Sequence, residues 1–130
     1  MQVWKDPYFT LEVDAQRQLV RVRRSAASFA DLNILRASFD TLNVQMASLP
    51  RAEYSELQDL REARGRNDKE FEDIMTRERK RLSEGFRRVA ILVATQVGRL
   101  QVQRHVGEDE SETTRVFLLE SEAVRWLTEK

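Results

Sequence analysis

Val89-Ala90-Ile91-Leu92-Val93 is continuously apolar. A strand buried on both faces reads this way, and it belongs in the middle of a sheet. On its C-terminal side Thr95 can cap a short helix carrying Val97 and Leu100. Gly107 to Glu112 reads as an acidic loop, Val116 to Leu119 as a last short strand, and Ser121 as the cap of a final helix holding Val124, Trp126 and Leu127.

On its N-terminal side, Asn67 and Glu70 have the spacing of a capping pair. The helix they open would bury Phe71, Ile74, Met75, Leu82 and Phe86. Before it, Glu53 to Arg61 does not alternate cleanly at Tyr54, Leu57 and Leu60. It is assigned as a strand because Ala63-Arg64-Gly65-Arg66 breaks the chain directly after it. Further back, Ser28 with Asp31 three residues on marks a helix start. Leu32, Leu35, Phe39, Leu42, Met46 and Leu49 then follow at steps of three and four, one apolar stripe that normally faces a core. Pro50 marks its end.

The chain opens on two strands. In Tyr8 to Asp14, Phe9, Leu11 and Val13 share one face while Thr10, Glu12 and Asp14 share the other. In Leu19 to Arg23, Val20 and Val22 stand opposite Leu19, Arg21 and Arg23. Ala15-Gln16-Arg17-Gln18 joins them as a short hairpin connection without an Asn-Gly signal. The order is ββαβαβαβα, an α/β domain spanning residues 1–130 with a mixed, mainly parallel five-stranded sheet and four helices.

That order at this length resembles the STAS-like (SpoIIAA-like) fold of the bacterial anti-sigma factor antagonists. Three segments carry the resemblance: the opening hairpin Tyr8 to Arg23, the strand-loop-helix from Leu57 to Asp68, and the ending Ser121-Glu122-Ala123-Val124-Arg125-Trp126-Leu127, similar to the closing helix of uncharacterised bacterial STAS-like proteins. The resemblance implies a module that docks onto partners instead of performing chemistry. In the signalling branch a Ser or Thr at the start of the helix after the third strand is phosphorylated. Here that stretch reads Gly65-Arg66-Asn67-Asp68-Lys69, with no hydroxyl, so the phospho-switch does not carry over.

Composition narrows the field. The 130 residues include no cysteine, which removes disulfides, thiolate metal sites and cysteine nucleophiles and fits a reducing, cytoplasmic setting. No apolar run approaches the roughly 20 residues needed to span a bilayer, and Met1 to Asp6 holds no apolar signal region. Twenty-two basic residues balance 22 acidic ones, so nucleic acid is not an expected partner. The charges are segregated: residues 77–104 carry a net of +6, and residues 108–122 a net of −5.

Catalytic signals are missing. His105 is the one histidine, read as a helix-end or surface group, and no G-x-S-x-G occurs. Glu108, Asp109, Glu110 and Glu112 lack the central Gly of a calcium loop. Gly65, Gly85, Gly98 and Gly107 are isolated, so no phosphate loop forms. No cofactor, metal or catalytic residue is expected.

In open parallel sheets ligands gather at the C-terminal strand ends. That rule selects two loops: Arg61, Arg64, Arg66, Asn67 and Asp68 from one, Gln96 and Arg99 from the other. A second candidate is the polar face of the first hairpin, Thr10, Glu12, Arg21 and Arg23, where Glu12 could pair with Arg21 or Arg23. The leading expectation is a non-catalytic regulatory or scaffolding module that binds another protein, or another copy of itself. The alternative is a carrier or sensor of a small lipid-like or anionic ligand, with a pocket lined by Leu35, Phe39, Leu42 and Met46. Sedimentation at low and high salt tests self-association through the segregated charges: association at low salt is expected, and an unchanged monomer contradicts it.

Overall fold

Alternation in the first half of the chain and continuous burial in the second produce one sheet. The computed structural model describes residues 2–63, 68–106 and 113–129. Its strands are β1 (Gln2–Lys5), β2 (Phe9–Asp14), β3 (Leu19–Arg24), β4 (Ser55–Asp59), β5 (Val89–Leu92) and β6 (Thr114–Phe117). They lie side by side in sequence order. β1, β2 and β3 are antiparallel neighbours, whereas β3 to β6 run parallel. Four helices accompany them: α1 (Leu32–Met46), α2 (Lys69–Ser83), α3 (Gln96–Val106) and α4 (Glu120–Thr128).

The sheet has six strands, one more than the sequence pattern implied. β1 is only four residues long, and its Val3 is 62% exposed, so it shows no alternation to read. What makes it a strand is the turn after it. The Asp6 carboxylate accepts the backbone N–H groups of Tyr8 and Phe9 at 2.8 and 2.7 Å, which folds the chain back onto β2. β5 is confirmed as fully buried, but it stands second from one edge and not at the centre.

The helix starts also differ. Asp31, not Ser28, caps α1, accepting the Ile34 N–H at 2.9 Å, because Phe29 is drawn into the core ahead of it. Asp68, not Asn67, caps α2 through the N–H groups of Glu70 and Phe71. Leu119 holds the cap position of α4, which places Ser121 inside its first turn. Thr95 caps α3 as expected, its Oγ1 accepting the Gly98 N–H at 3.0 Å. Val97 and Leu100 nevertheless point outward, 66% and 60% exposed, and Val102 is the buried residue of that helix. The last strand is Thr114–Phe117, two residues earlier than Val116 to Leu119.

Chirality decides which face each helix covers. Crossovers between parallel strands are almost always right-handed. The three crossovers through α1, α2 and α3 all step the same way across the sheet, so the rule sends all three helices to one face. Leu35, Phe39, Leu42 and Met46 of α1, Phe71, Ile74 and Leu82 of α2, and Val102 of α3 accordingly share one core with Phe9, Leu11, Val20, Val22, Val89 and Ile91. α4 follows the last strand and packs on the opposite face. There Ala123, Trp126 and Leu127 cover Leu19, Leu57, Ala90 and Leu92. The remainder of that face, over β1 to β3, carries no helix among the described residues.

Leu42 is fully buried in the first core. Leu42→Ala should cost about 3 kcal/mol, from lost transfer free energy and the cavity left behind. Urea unfolding measures it; a loss under about 1 kcal/mol would contradict this seating of α1.

Candidate functional site

Of the residues selected from the sequence, those that are described serve separate roles. The parallel strand order never reverses, and it is reversal that opens a crevice at the strand ends. Arg64, Arg66, Asn67 and the acidic loop Gly107 to Glu112 lie outside the described residues, as does the side chain of His105. Asp68 serves as a helix cap. Gln96 is exposed in the first turn of α3. Arg61 is committed to its neighbours: it grips the Asp59 carboxylate through two bonds of 3.0 and 2.7 Å.

Asp59 anchors a network that the sequence could not show. Its side chain is buried on the α4 side of the sheet, beside Arg23 at 3.4 Å. Glu120, at the start of α4, reaches Arg21 at 2.8 Å and Arg61 at 3.5 Å. Burial alone would raise the Asp59 carboxyl, but its bonds to Arg61 and the charge of Arg23 outweigh that and hold it below the usual carboxylate range. Three arginines and two carboxylates thus pin α4 across the end of the sheet. Glu12 stands directly opposite Arg21 in register, yet the arginine turns to Glu120. No Glu12 ion pair occurs among the described residues. The open half-face therefore presents Thr10, Glu12, Arg21 and Arg23, with Arg23 still 41% exposed.

Much of the basic segment has structural work. Arg87 and Arg88 donate to the last carbonyls of α4, including Leu127 and Trp126. Arg81 pairs with Asp40 and Glu78. Arg51, from a single 3-10 turn at Arg51–Glu53, closes the end of α2 in the same manner, donating to Leu82 and Glu84 carbonyls at 3.0 and 2.9 Å. Cations at helix C-termini offset the negative end of the helix dipole.

Polar groups also enter the three-helix core. Glu56 is wholly buried and accepts from Gln58 Nε2 at 2.7 Å. Burial pushes its carboxyl up to about 8, against the opposing pull of Gln58 and Arg51. Arg24 lies 4.3 Å over the Phe29 ring and donates to the Ser25 carbonyl at 2.8 Å. Burial lowers the Arg79 guanidinium, whose Nε has no hydrogen-bond partner. Arg24, Gln58 and Arg79 border a cavity of about 20 Å³ shared with Phe39 and Met75. That is room for about one water. Sealed from solvent, Glu56 cannot meet a substrate. Among the described residues no group of three or more His, Asp or Glu side chains could hold a metal ion.

A groove of about 610 Å³ lies at the outer side of β6 between α3 and α4; others of about 570 and 390 Å³ open beside Arg17 and Arg87 and beside Val3 and Trp4 of β1. Arg99 and Gln103 line the first from α3, Arg115 and Phe117 from β6, and Leu119 and Glu122 from the start of α4. Arg99 thus lines a groove, and its companion there is Arg115, which no local pattern in the sequence singles out.

The fold has a known counterpart. The chain is similar to an uncharacterised protein of the DUF3478 family with a SpoIIAA-like fold from Shewanella loihica PV-4, with a TM-score of 0.58 and 15% identity over 97% of this chain and 90% of that one. The architecture is SpoIIAA-like. No protein-family model and no curated protein matches the sequence. No described helix is long and apolar enough to cross a membrane.

Two variants test this electrostatic structure. The folded chain holds a proton on Glu56 that the unfolded chain releases from about pH 4.5, so this group's contribution is full below that value and falls as pH rises towards 8. The urea midpoint should therefore drop between pH 5 and pH 8.5 more in the wild type than in Glu56→Gln; equal slopes would contradict a protonated Glu56. Asp59→Asn should cost about 1–2 kcal/mol at pH 7, the charge-assisted bonds discounted for the solvent around half-exposed Arg61 and Arg23. An unchanged midpoint would show that the network does not hold α4.

Proposed function

We propose that this chain is a non-catalytic regulatory or scaffolding module that acts by binding another protein. The observation that carries the reading is an asymmetry. The face under α1, α2 and α3 is filled, while half of the opposite face carries no helix among the described residues. Leu35, Phe39, Leu42 and Met46, the residues that would line a carrier's pocket, are buried against their neighbours. The only cavity that any of them borders among those described holds about one water. A lipid-like ligand needs several hundred Å³. An anionic one bound at Arg61 would have to take that arginine from Asp59.

The open half-face suits a protein partner better. It combines exposed Val3 with Thr10, Glu12 and two arginines whose outer edges stay accessible. Arginine with scattered apolar contact is common in docking surfaces. Docking without chemistry also agrees with the SpoIIAA-like architecture. Regulation through a helix-cap hydroxyl is not part of the proposal, because the cap of α2 is Asp68.

Affinity capture of the full chain from its source cells, read by mass spectrometry, tests the reading. A dominant protein partner is expected, captured at least tenfold less by the Val3→Glu/Glu12→Arg variant, which leaves the contacts of Arg21 and Arg23 with α4 and Asp59 in place. A co-purified small molecule with no protein partner would overturn the proposal in favour of a carrier.

A further inference from the structure

We infer that the outer edge of β6 is a strand-addition site for an extended, acidic segment of a partner protein. The inference rests on the protein-binding reading and specifies one surface for it. In a parallel ladder successive residues of an edge strand turn their backbone groups alternately inward and outward. The carbonyls of Thr113 and Phe117 accept the N–H groups of Val89 and Val93 at 2.7 and 3.0 Å. By that alternation, the backbone groups of Thr114 and Val116 face away from β5. No described strand pairs with that side. Two residues therefore offer two donors and two acceptors to an incoming strand.

The groove shows what kind of strand fits. It is walled by α3 on one face of the sheet and by α4 on the other, so an added strand would lie between them with its alternate side chains directed to the two walls. Arg99 stands on the first wall and Arg115 near the second; neither has an ion-pair partner among the described residues. Among the described residues, the Arg115 side chain is held by its position 4.9 Å over the Trp126 ring. With Glu122 counted, the charged side chains that line the groove among the described residues sum to one positive charge. Leu119, 57% exposed, supplies an apolar contact on the α4 wall. Carboxylates interleaved with apolar residues complement this lining. Main-chain bonds supply affinity in strand addition, and the side-chain walls supply selectivity.

The opposite edge of the sheet is a poorer match. β1 is also unpaired on its outer side, but it presents Lys5 at its end and is not flanked by helices on both faces. A lysine on an edge strand discourages addition of a further strand.

The test is an NMR titration of the full chain with two capped hexapeptides, one alternating valine with glutamate and one alternating valine with lysine. The glutamate peptide should shift the Thr114 and Val116 amides, and the lysine peptide should not. Arg99→Glu/Arg115→Glu should weaken the glutamate peptide at least tenfold and admit the lysine peptide, with the amide spectrum otherwise retained. Thr114→Pro removes an outward N–H at the first residue of an edge strand, where proline is tolerated, and should abolish binding. Shifts confined to β1 or to the face of Arg21 and Arg23, or none at millimolar peptide, would overturn the inference. The same Arg99→Glu/Arg115→Glu variant separates the two claims in affinity capture. A protein partner retained undiminished removes the edge site and leaves the protein-binding reading standing; no protein partner for the wild type removes the reading itself.

Discussion

Three successive parallel crossovers, from β3 to β4, β4 to β5 and β5 to β6, step in one direction across the sheet. Right-handedness then leaves each connecting helix one face to occupy, and it is the same face. Nearly everything else follows from that. One side of the sheet acquires a thick, aromatic-rich core in which Phe9, Phe29, Phe39 and Phe71 pack together. The other side has only the short α4, placed where the last strand releases the chain. With four strands to cover and six in the sheet, α4 leaves the antiparallel half open.

The same constraint explains where the charges sit. α4 has nine residues and one buried stripe, so it needs more than apolar contact to stay in place. Glu120 at its start is bound to Arg21 and Arg61, and its final carbonyls are met by Arg87 and Arg88. Arg81, Arg87 and Arg88 of the basic segment are thus distributed among helix ends and ion pairs. Net charge by segment is a poor guide here because the partners come from distant parts of the chain. That leaves Arg99 and Arg115 conspicuous, since both line one groove and neither has an ion pair among the described residues.

What could be read from the sequence was whatever depends on local periodicity. The stripe from Leu35 to Met46 and the alternation in Phe9 to Asp14 and Leu19 to Arg24 identify α1, β2 and β3 directly, and the apolar run from Val89 marks β5. β4 was the difficult strand because Glu56, Gln58 and Asp59 are buried in it, and only tertiary partners make that tolerable. β1 was invisible because its pairing is fixed by the Asp6 turn instead of by a buried face. Helix caps were displaced by one to three residues, since Ser28, Asn67 and Ser121 are as suitable by type as the groups at the true starts. The site was least legible. Arg21 and Glu120 are 99 residues apart, and Arg115 meets Arg99 only across a groove.

Docking, as proposed, falls on the surfaces that the described helices leave uncovered. Hydrogen exchange of the chain with and without the protein captured on it tests this most directly. Slowed exchange is predicted at β6 or at the open half-face of β1 to β3, with α1 and α2 unchanged. Protection concentrated on α1 and α2 instead would contradict the account, because it would place the partner on the face that the three crossovers close.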